Sequence, residues 1–240
     1  MRFSLVIPCY NEAKNIPFLV KKYRSFLKEK NNELILVNNG SKDKTKSVIK
    51  KLLKVKNIRT TNIVNNKGFG YGLFKGMVKA RGKIIIYSHA DLEVDPKDIL
   101  KAIKIIKKNK KYIKKIFVKG HRINKIKNNW TSSDIFFSIG LTIFCSFLFF
   151  KKLFDIHGMP VAFSKNLLNH CKYKPNDFTA DLAIYNYAYT AKFKIIRFNT
   201  NFNKKNRKFG SGSSDTFLKK ILGTFEQITG SLKLLINSNI

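Results

Sequence analysis

Short, largely apolar runs alternate with helix-period patterns over the first 120 residues, and nothing else in the sequence constrains the fold as tightly. Phe3 to Ile7, Leu34 to Val37, Ile58 to Val64, Lys83 to Tyr87 and Ile116 to Lys119 read as strands. Between them, three sets recur at helical spacing: Ile16, Leu19, Tyr23, Phe26 and Leu27; Val48, Ile49, Leu52 and Leu53; Leu73, Met77 and Ala80. After Pro96 the same period returns at Ile99, Ile103 and Ile106. A strand that is apolar throughout has no face to offer water, so it is expected to be buried on both sides. Joined by helices, such strands imply an α/β fold with a mostly parallel sheet and helices on both faces. Ligands of such sheets gather at the carboxyl ends of the strands.

Three polar loops fall at that edge. Pro8-Cys9-Tyr10-Asn11-Glu12 closes the first strand, Asn38-Asn39-Gly40-Ser41 the second, and His89-Ala90-Asp91-Leu92-Glu93 the fourth. Side chains alternate along an extended chain, so His89, Asp91 and Glu93 are expected on one face. Imidazole and two carboxylates suit Mn²⁺ or Mg²⁺, with positions left for phosphate oxygens. The glycines of Gly68-Phe69-Gly70-Tyr71-Gly72 serve either a phosphate cradle at a helix start or close packing of that helix. They match neither the dinucleotide nor the P-loop spacing. Asp181 stands at the start of a helix running through Tyr189, as a partner of the helix dipole or as a reactive carboxylate. Arg207 lies in a basic Gly- and Ser-rich stretch, either a solvated linker or a diphosphate clamp. His121, His157 and His170 have no metal spacing and read as structural.

The second half is less regular, with one further strand at Lys194 to Phe198. Asp134 to Leu153 is a long apolar helix pattern, and its uncharged run, Ile135 to Phe150, falls short of the ~20 residues that span a bilayer. Phe217, Ile221, Phe225, Ile228 and Leu232 outline a C-terminal amphipathic helix with Lys219, Lys220 and Lys233. The expected organisation is a domain over 1–215, holding the apolar helix at 133–153, followed by that helix at 216–240. Length fits one domain, and 44% hydrophobic residues exclude a disordered chain. Three scattered cysteines, Cys9, Cys145 and Cys171, exclude a disulfide framework and point to the cytoplasm. No secretory leader pattern opens the chain. A formal charge of +34 draws the chain to phosphorylated ligands or anionic lipid, although lysines spread over the whole sequence read mainly as solvated surface. No specific nucleic-acid partner is expected.

Taken in order, VIPCYNE, VNNGSKDKT, NKGFGYGLFKGMVKARG and HADLEVDP resemble glycosyltransferase family 2, and within it the dolichyl- and polyprenyl-phosphate sugar synthases. The resemblance covers roughly residues 1–215. It implies a GT-A fold and a nucleotide-diphosphate-sugar donor. The donor residues it implies are Pro8, Tyr10, Asn11, Glu12, Asn38, Asn39, Gly68, His89, Ala90 and Asp91. The family's DxD motif matches His89-Ala90-Asp91, with Glu93 as the further metal ligand. Its late basic motif matches Arg207 and Gly210, with the serine at Ser211 or Ser213. Where the family carries acidic residues, this chain has His89, Asn38 and Asn39. The Ile135–Phe150 run falls where the synthases receive their lipid.

The expected reaction is sugar transfer with inversion to a polyprenyl-phosphate-type lipid, by a protein peripheral on the inner face of a membrane. The expected metal ligands are Asp91 and Glu93 assisted by His89. Arg207 is expected on the phosphates, and Asp181 as the base if the acceptor is a sugar hydroxyl. The competing readings are a transferase building a surface glycan and a non-catalytic polyanion- or membrane-binding protein on the same fold.

Overall fold

The structure is a computed structural model that describes residues 1–210 and 216–238. Seven strands form one sheet: β1 (Phe3–Cys9), β2 (Glu33–Asn39), β3 (Ile58–Ile63), β4 (Ile84–Tyr87), β5 (Ile116–Arg122), β6 (Val161–Ser164) and β7 (Lys194–Thr200). Their order is β3-β2-β1-β4-β6-β5-β7. Six run parallel, and β6 alone runs antiparallel to both of its neighbours. The sequence reading did not contain β6. It is four residues long, and a short apolar run carries no period that separates strand from core helix.

Among the described residues, eight helices cover the sheet: α1 (Ile16–Lys22), α2 (Arg24–Lys28), α3 (Thr45–Leu52), α4 (Phe69–Val78), α5 (Pro96–Lys108), α6 (Ser132–Leu148), α7 (Thr179–Thr190) and α8 (Phe217–Ser238). The first expected helix is thus two short ones, divided at Tyr23, whose backbone leaves the helical region. Strand side chains alternate between two cores. Leu5 and Ile7 join Leu19, Phe26, Ile49, Ile99 and Ile106 on one face. Val6, Ile35, Val37 and Tyr87 join Leu73, Met77, Cys145, Ile184 and Leu234 on the other.

Three elements shape the functional edge. The α4 glycines allow close approach: a Cβ on Gly76 would lie 2.5 Å from Val6 and 2.6 Å from Val37, and one on Gly70 would lie 2.2 Å from the Pro175 carbonyl. Of the two roles open to this segment, the structure shows close packing. Helix α6 opens with a capping box, in which Thr131 and Asp134 satisfy each other's backbone N–H. It ends at Leu148 rather than Leu153, because Phe150 adopts a left-handed backbone (φ 51°). Helix α8 packs on α6 and α7; its Gly230 sits so close to Thr179 that a Cβ would lie 2.1 Å from the hydroxyl. Among the described residues, no helix is long and apolar enough to cross a membrane.

Candidate active site

Parallel β1, β2 and β4 deliver their carboxyl ends to one edge, and the loops that follow meet there. After β4, Asp91 and Glu93 are buried and lie under Arg207 from the loop after β7. Arg207 Nε donates to Glu93 Oε1 at 2.7 Å, and Nη2 donates to Asp91 Oδ2 at 3.2 Å. The Glu93 amide donates to Asp91 Oδ1 at 3.1 Å, and His89 Nδ1 stands 3.7 Å from Asp91 Oδ2. Burial works to raise the Asp91 carboxyl, but the His89 ring and then Arg207 hold it below the ordinary carboxylate range. Burial, followed by the Asp91 charge, pushes Glu93 upward. Burial likewise raises Glu12, across the cleft.

His89, Asp91 and Glu93 stand together in the loop after β4. Among the described residues, no three His, Cys, Asp or Glu side chains are arranged to hold one ion. Arg207 fills the space between the two carboxylates. Their chemistry still suits a hard divalent cation, which prefers carboxylate oxygens, and a guanidinium already rests between them. His89 lies between Phe69 and Phe202, at ring distances of 5.5 and 6.3 Å, with Nε2 buried and without a hydrogen-bond partner.

The remaining donor-side residues have distinct placements. Pro8 is inside β1, paired with Val37 and buried at the strand's carboxyl end. Tyr10 is exposed at the rim. Asn11 adopts φ 56°, donates its amide N–H to Ser41 Oγ and accepts from the Lys42 amide, which ties the first loop to the second. Glu12 donates its amide N–H to Thr45 Oγ1 and accepts from Asn15, whose amide also donates to the Phe209 carbonyl. Asn38 donates to Asn62 and accepts from the Ser41 amide, so both its polar atoms are engaged within the scaffold. Asn39 donates to the Gly68 carbonyl and keeps a buried Oδ1 without a partner. Gly68 sits at φ 100°, with the Asn176 carbonyl 2.4 Å from where a Cβ would be. Ala90 is buried. The Arg207 loop is thus docked by Asn15 and by both carboxylates. Ser211 and Ser213 lie outside the described residues.

Asp181, expected as the base toward a hydroxyl acceptor, is buried. Its Oδ1 accepts from Tyr87 OH at 3.0 Å, and Oδ2 meets His157 Nδ1 at 2.9 Å. Burial opposes the charge, but His157 and then Lys119 hold this carboxyl below its ordinary range. His157, read from the sequence as structural, is thus the partner of Asp181. It comes from the loop before β6, and no local spacing links it to Asp181.

Beside this cluster, an apolar groove of about 570 Å³ runs between α6 and the loop before β6. Ile139, Ile143, Phe147, Leu153 and Phe154 form its walls, and His121 and Lys125 stand at its polar margin with Asp155. Asp155 forms a buried ion pair with Arg122. Arg122 stacks on Trp130 at 4.6 Å and on Phe202 at 5.7 Å, and Phe202 also lines His89. Phe202 therefore touches both His89 and Arg122, and Arg122 pairs with Asp155, which lines the groove.

Comparison with known proteins agrees with this geometry. The family model described as Glycosyl transferase family 2 matches residues 4–171. A dolichyl-phosphate beta-glucosyltransferase of Trichomonas vaginalis is 33% identical over 148 residues, covering 58% of this chain and 45% of that protein. A dolichol-phosphate mannosyltransferase of Pyrococcus furiosus is 28% identical over 131 residues, covering 54% and 36%. A prophage bactoprenol glucosyl transferase homolog of Escherichia coli is 36% identical over 104 residues, covering 42% and 33%. The matched region is less than half the length of each of these relatives. Among solved structures, glucosyl-3-phosphoglycerate synthase from Mycobacterium tuberculosis, in complex with Mn²⁺, UDP and glucosyl-3-phosphoglycerate, superposes with a TM-score of 0.67 at 14% identity. That match covers 98% of this chain and 79% of that one. At this identity the likeness speaks for the GT-A fold alone.

Proposed function

From the premise that this chain belongs to glycosyltransferase family 2, we propose that it moves a sugar from a nucleotide-diphosphate sugar to a polyprenyl-phosphate-type lipid. The reaction takes place at a membrane surface. The observation that carries this reading is the adjacency of two features. A buried carboxylate pair bound by Arg207 is connected, through His89, Phe202 and the Arg122–Asp155 pair, to an apolar groove with His121 and Lys125 at its margin. The first suits a diphosphate and the second a phosphate on a long hydrocarbon.

Asp91 and Glu93 would hold a Mn²⁺- or Mg²⁺-class cation, which supplies charge neutralisation on the leaving diphosphate. Arg207 binds the same phosphates with its planar fork once it turns from the carboxylates. Glu12, Asn39 and Tyr10 form the donor side of the cleft. An oxygen of the acceptor phosphate bonds to the anomeric carbon as the bond from that carbon to the diphosphate oxygen breaks. The nucleoside diphosphate departs with the electron pair, and a single displacement inverts the centre. A phosphate dianion carries no proton to remove, so the burial of Asp181 costs this reaction nothing.

The peripheral location has its own support. Phe136, Ile139, Ile143, Phe147 and Phe150 project as one stripe along α6 and its C-terminus, between 48% and 89% exposed. On α8, Phe217, Leu218, Ile221, Leu222 and Phe225 are also exposed. Apolar helices on a chain of formal charge +34 form a two-part signal for an anionic membrane surface, in keeping with an inner-leaflet, cell-envelope role. The deciding experiment is a panel of UDP- and GDP-sugars with Mn²⁺ or Mg²⁺, offered with polyprenyl phosphate or with free sugars. Glycolipid formed only with the lipid phosphate supports the reading, and transfer to sugar hydroxyls alone overturns it.

A further inference from the structure

Four elements that are distant in sequence meet at one buried carboxylate. Tyr87 ends β4, His157 comes from the loop before β6, Asp181 opens α7, and Gln227 lies on α8. Both oxygens of Asp181 are engaged, by the Tyr87 hydroxyl and by His157 Nδ1. The other ring nitrogen of His157, Nε2, faces Gln227 Oε1 at 2.6 Å. The imidazole is thus gripped at both ends, with Asp181 on the inside and α8 on the outside. Gly230, one turn on, holds α8 against Thr179 at the start of α7. Ser231, one residue further, reaches Cys145 of α6 at 3.4 Å. Every inward-facing group of this part of α8 is therefore committed to the wall behind the site.

A negative charge buried at this depth needs a fixed partner, because an unpaired one is costly to keep. His157 is that partner, and the other charged groups around Asp181 are Lys119 from β5 and His89 from the loop after β4. A ring held only by Asp181 would be free to turn about its own side-chain bond. The amide of Gln227 removes that freedom.

We propose that His157 is a positioning residue for the transfer site, and that α8 works as its clamp through Gln227, which makes the C-terminal helix a part of the active site. The sugar-transfer half of this inference rests on the function proposed above. His157 keeps Asp181 ionised and aligned under His89 and Tyr87, and Gln227 keeps His157 on Asp181.

The test uses the full chain with two readouts. Long-range nitrogen–proton spectra of the imidazoles come first. The chain has four histidines, so His157→Ala assigns the signal by its disappearance. The expected wild-type ring has Nδ1 protonated and shielded from exchange. That signature should vanish in Asp181→Asn and broaden or shift in Gln227→Ala. Turnover with nucleotide sugar and polyprenyl phosphate comes second. His157→Ala should lower kcat about tenfold with the donor KM unchanged, a loss of positioning rather than of binding. His157→Gln, which restores an N–H toward Asp181, should recover most of that loss. The His157→Ala/Asp181→Asn double variant should be no worse than the poorer single one, since the two act as a unit. Additive losses, a wild-type kcat in His157→Ala, or an imidazole signal indifferent to both Asp181→Asn and Gln227→Ala would overturn the proposal. A wild-type chain that shows the signature and transfers no sugar would sink the proposed function and leave the clamp standing.

Discussion

Asp91 is the residue on which the proposed donor site turns. It alone is bonded to Arg207, the Glu93 amide and the His89 side of the cluster together. Asp91→Ala should abolish metal-dependent binding of a nucleoside diphosphate, read by calorimetry with Mn²⁺, while the circular-dichroism melt stays near wild type. Wild-type affinity in that variant would end the metal assignment. Asp181 makes a contrasting case. With the carboxylate sealed between Tyr87 and His157, Asp181→Asn should lower turnover only about tenfold through lost positioning. A base that took a proton from a sugar hydroxyl would be worth ~10²–10⁴ in rate. A drop beyond a thousandfold with unchanged donor affinity would therefore move the acceptor from lipid phosphate to glycan. The two residues differ in how they could be found. Asp91 stands in a loop whose polar pattern breaks an apolar strand, and that is visible in one dimension. The isolation of Asp181 from solvent depends on partners 94 and 24 residues away.

Helices α4 and α6 show how a single element carries both stability and function. On α4, Gly76 is the point where the helix backbone rests on β1 and β2. Gly76→Ala adds a methyl where two valines already touch and should cost ~1–3 kcal/mol, read as a lower denaturant midpoint with unchanged slope. On α6, Asp134 completes the capping box and also accepts from Lys204 and Lys220, at 2.8 and 2.9 Å. Burial opposes its charge, but these partners, Lys204 foremost, draw its carboxyl down to about 2. A carboxyl whose folded value is depressed stabilises the fold above its unfolded value of ~3.9. That contribution is lost as the pH falls from there toward 2. Asp134→Asn should therefore melt lower than wild type at pH 7, and the gap should close as the pH is brought down to 2. A gap that stayed constant over that range would show that the lysines do not act on Asp134.

For the whole molecule the governing fact is the pairing of a large positive charge with two exposed apolar helices. Charge alone acts through ~8–10 Å of physiological salt and is screened almost entirely at 1 M. Apolar side chains seated in the lipid interface are indifferent to salt. The chain should sediment with anionic vesicles, and 1 M salt should release only part of it. Replacing Phe136, Ile143 and Phe147 on α6 by Ser should make the remainder salt-labile. Complete release of the wild-type chain by salt would mean that the α6 stripe takes no part in docking.

The sequence by itself determined the α/β class, six of the seven strands, the two-sided burial of the central sheet and the loops that reach its carboxyl edge. These follow from periodicity and turn chemistry, which act over neighbouring residues. It also singled out Arg207, though not its position, because a basic Gly- and Ser-rich stretch has the same composition whether it is solvated or docked. Only the tertiary structure decided the rest. Arg207 reaches Glu93 and Asp91 across 114 and 116 residues, and His157 meets Gln227 across 70. The antiparallel insertion of β6, the close packing of the α4 glycines and the pairing of His157 with Asp181 were decided in the same way. Such pairings depend on which surfaces are left to cover once the sheet has formed. That choice is made by close packing and by the cost of burying an unpartnered charge, and neither leaves a period in the chain.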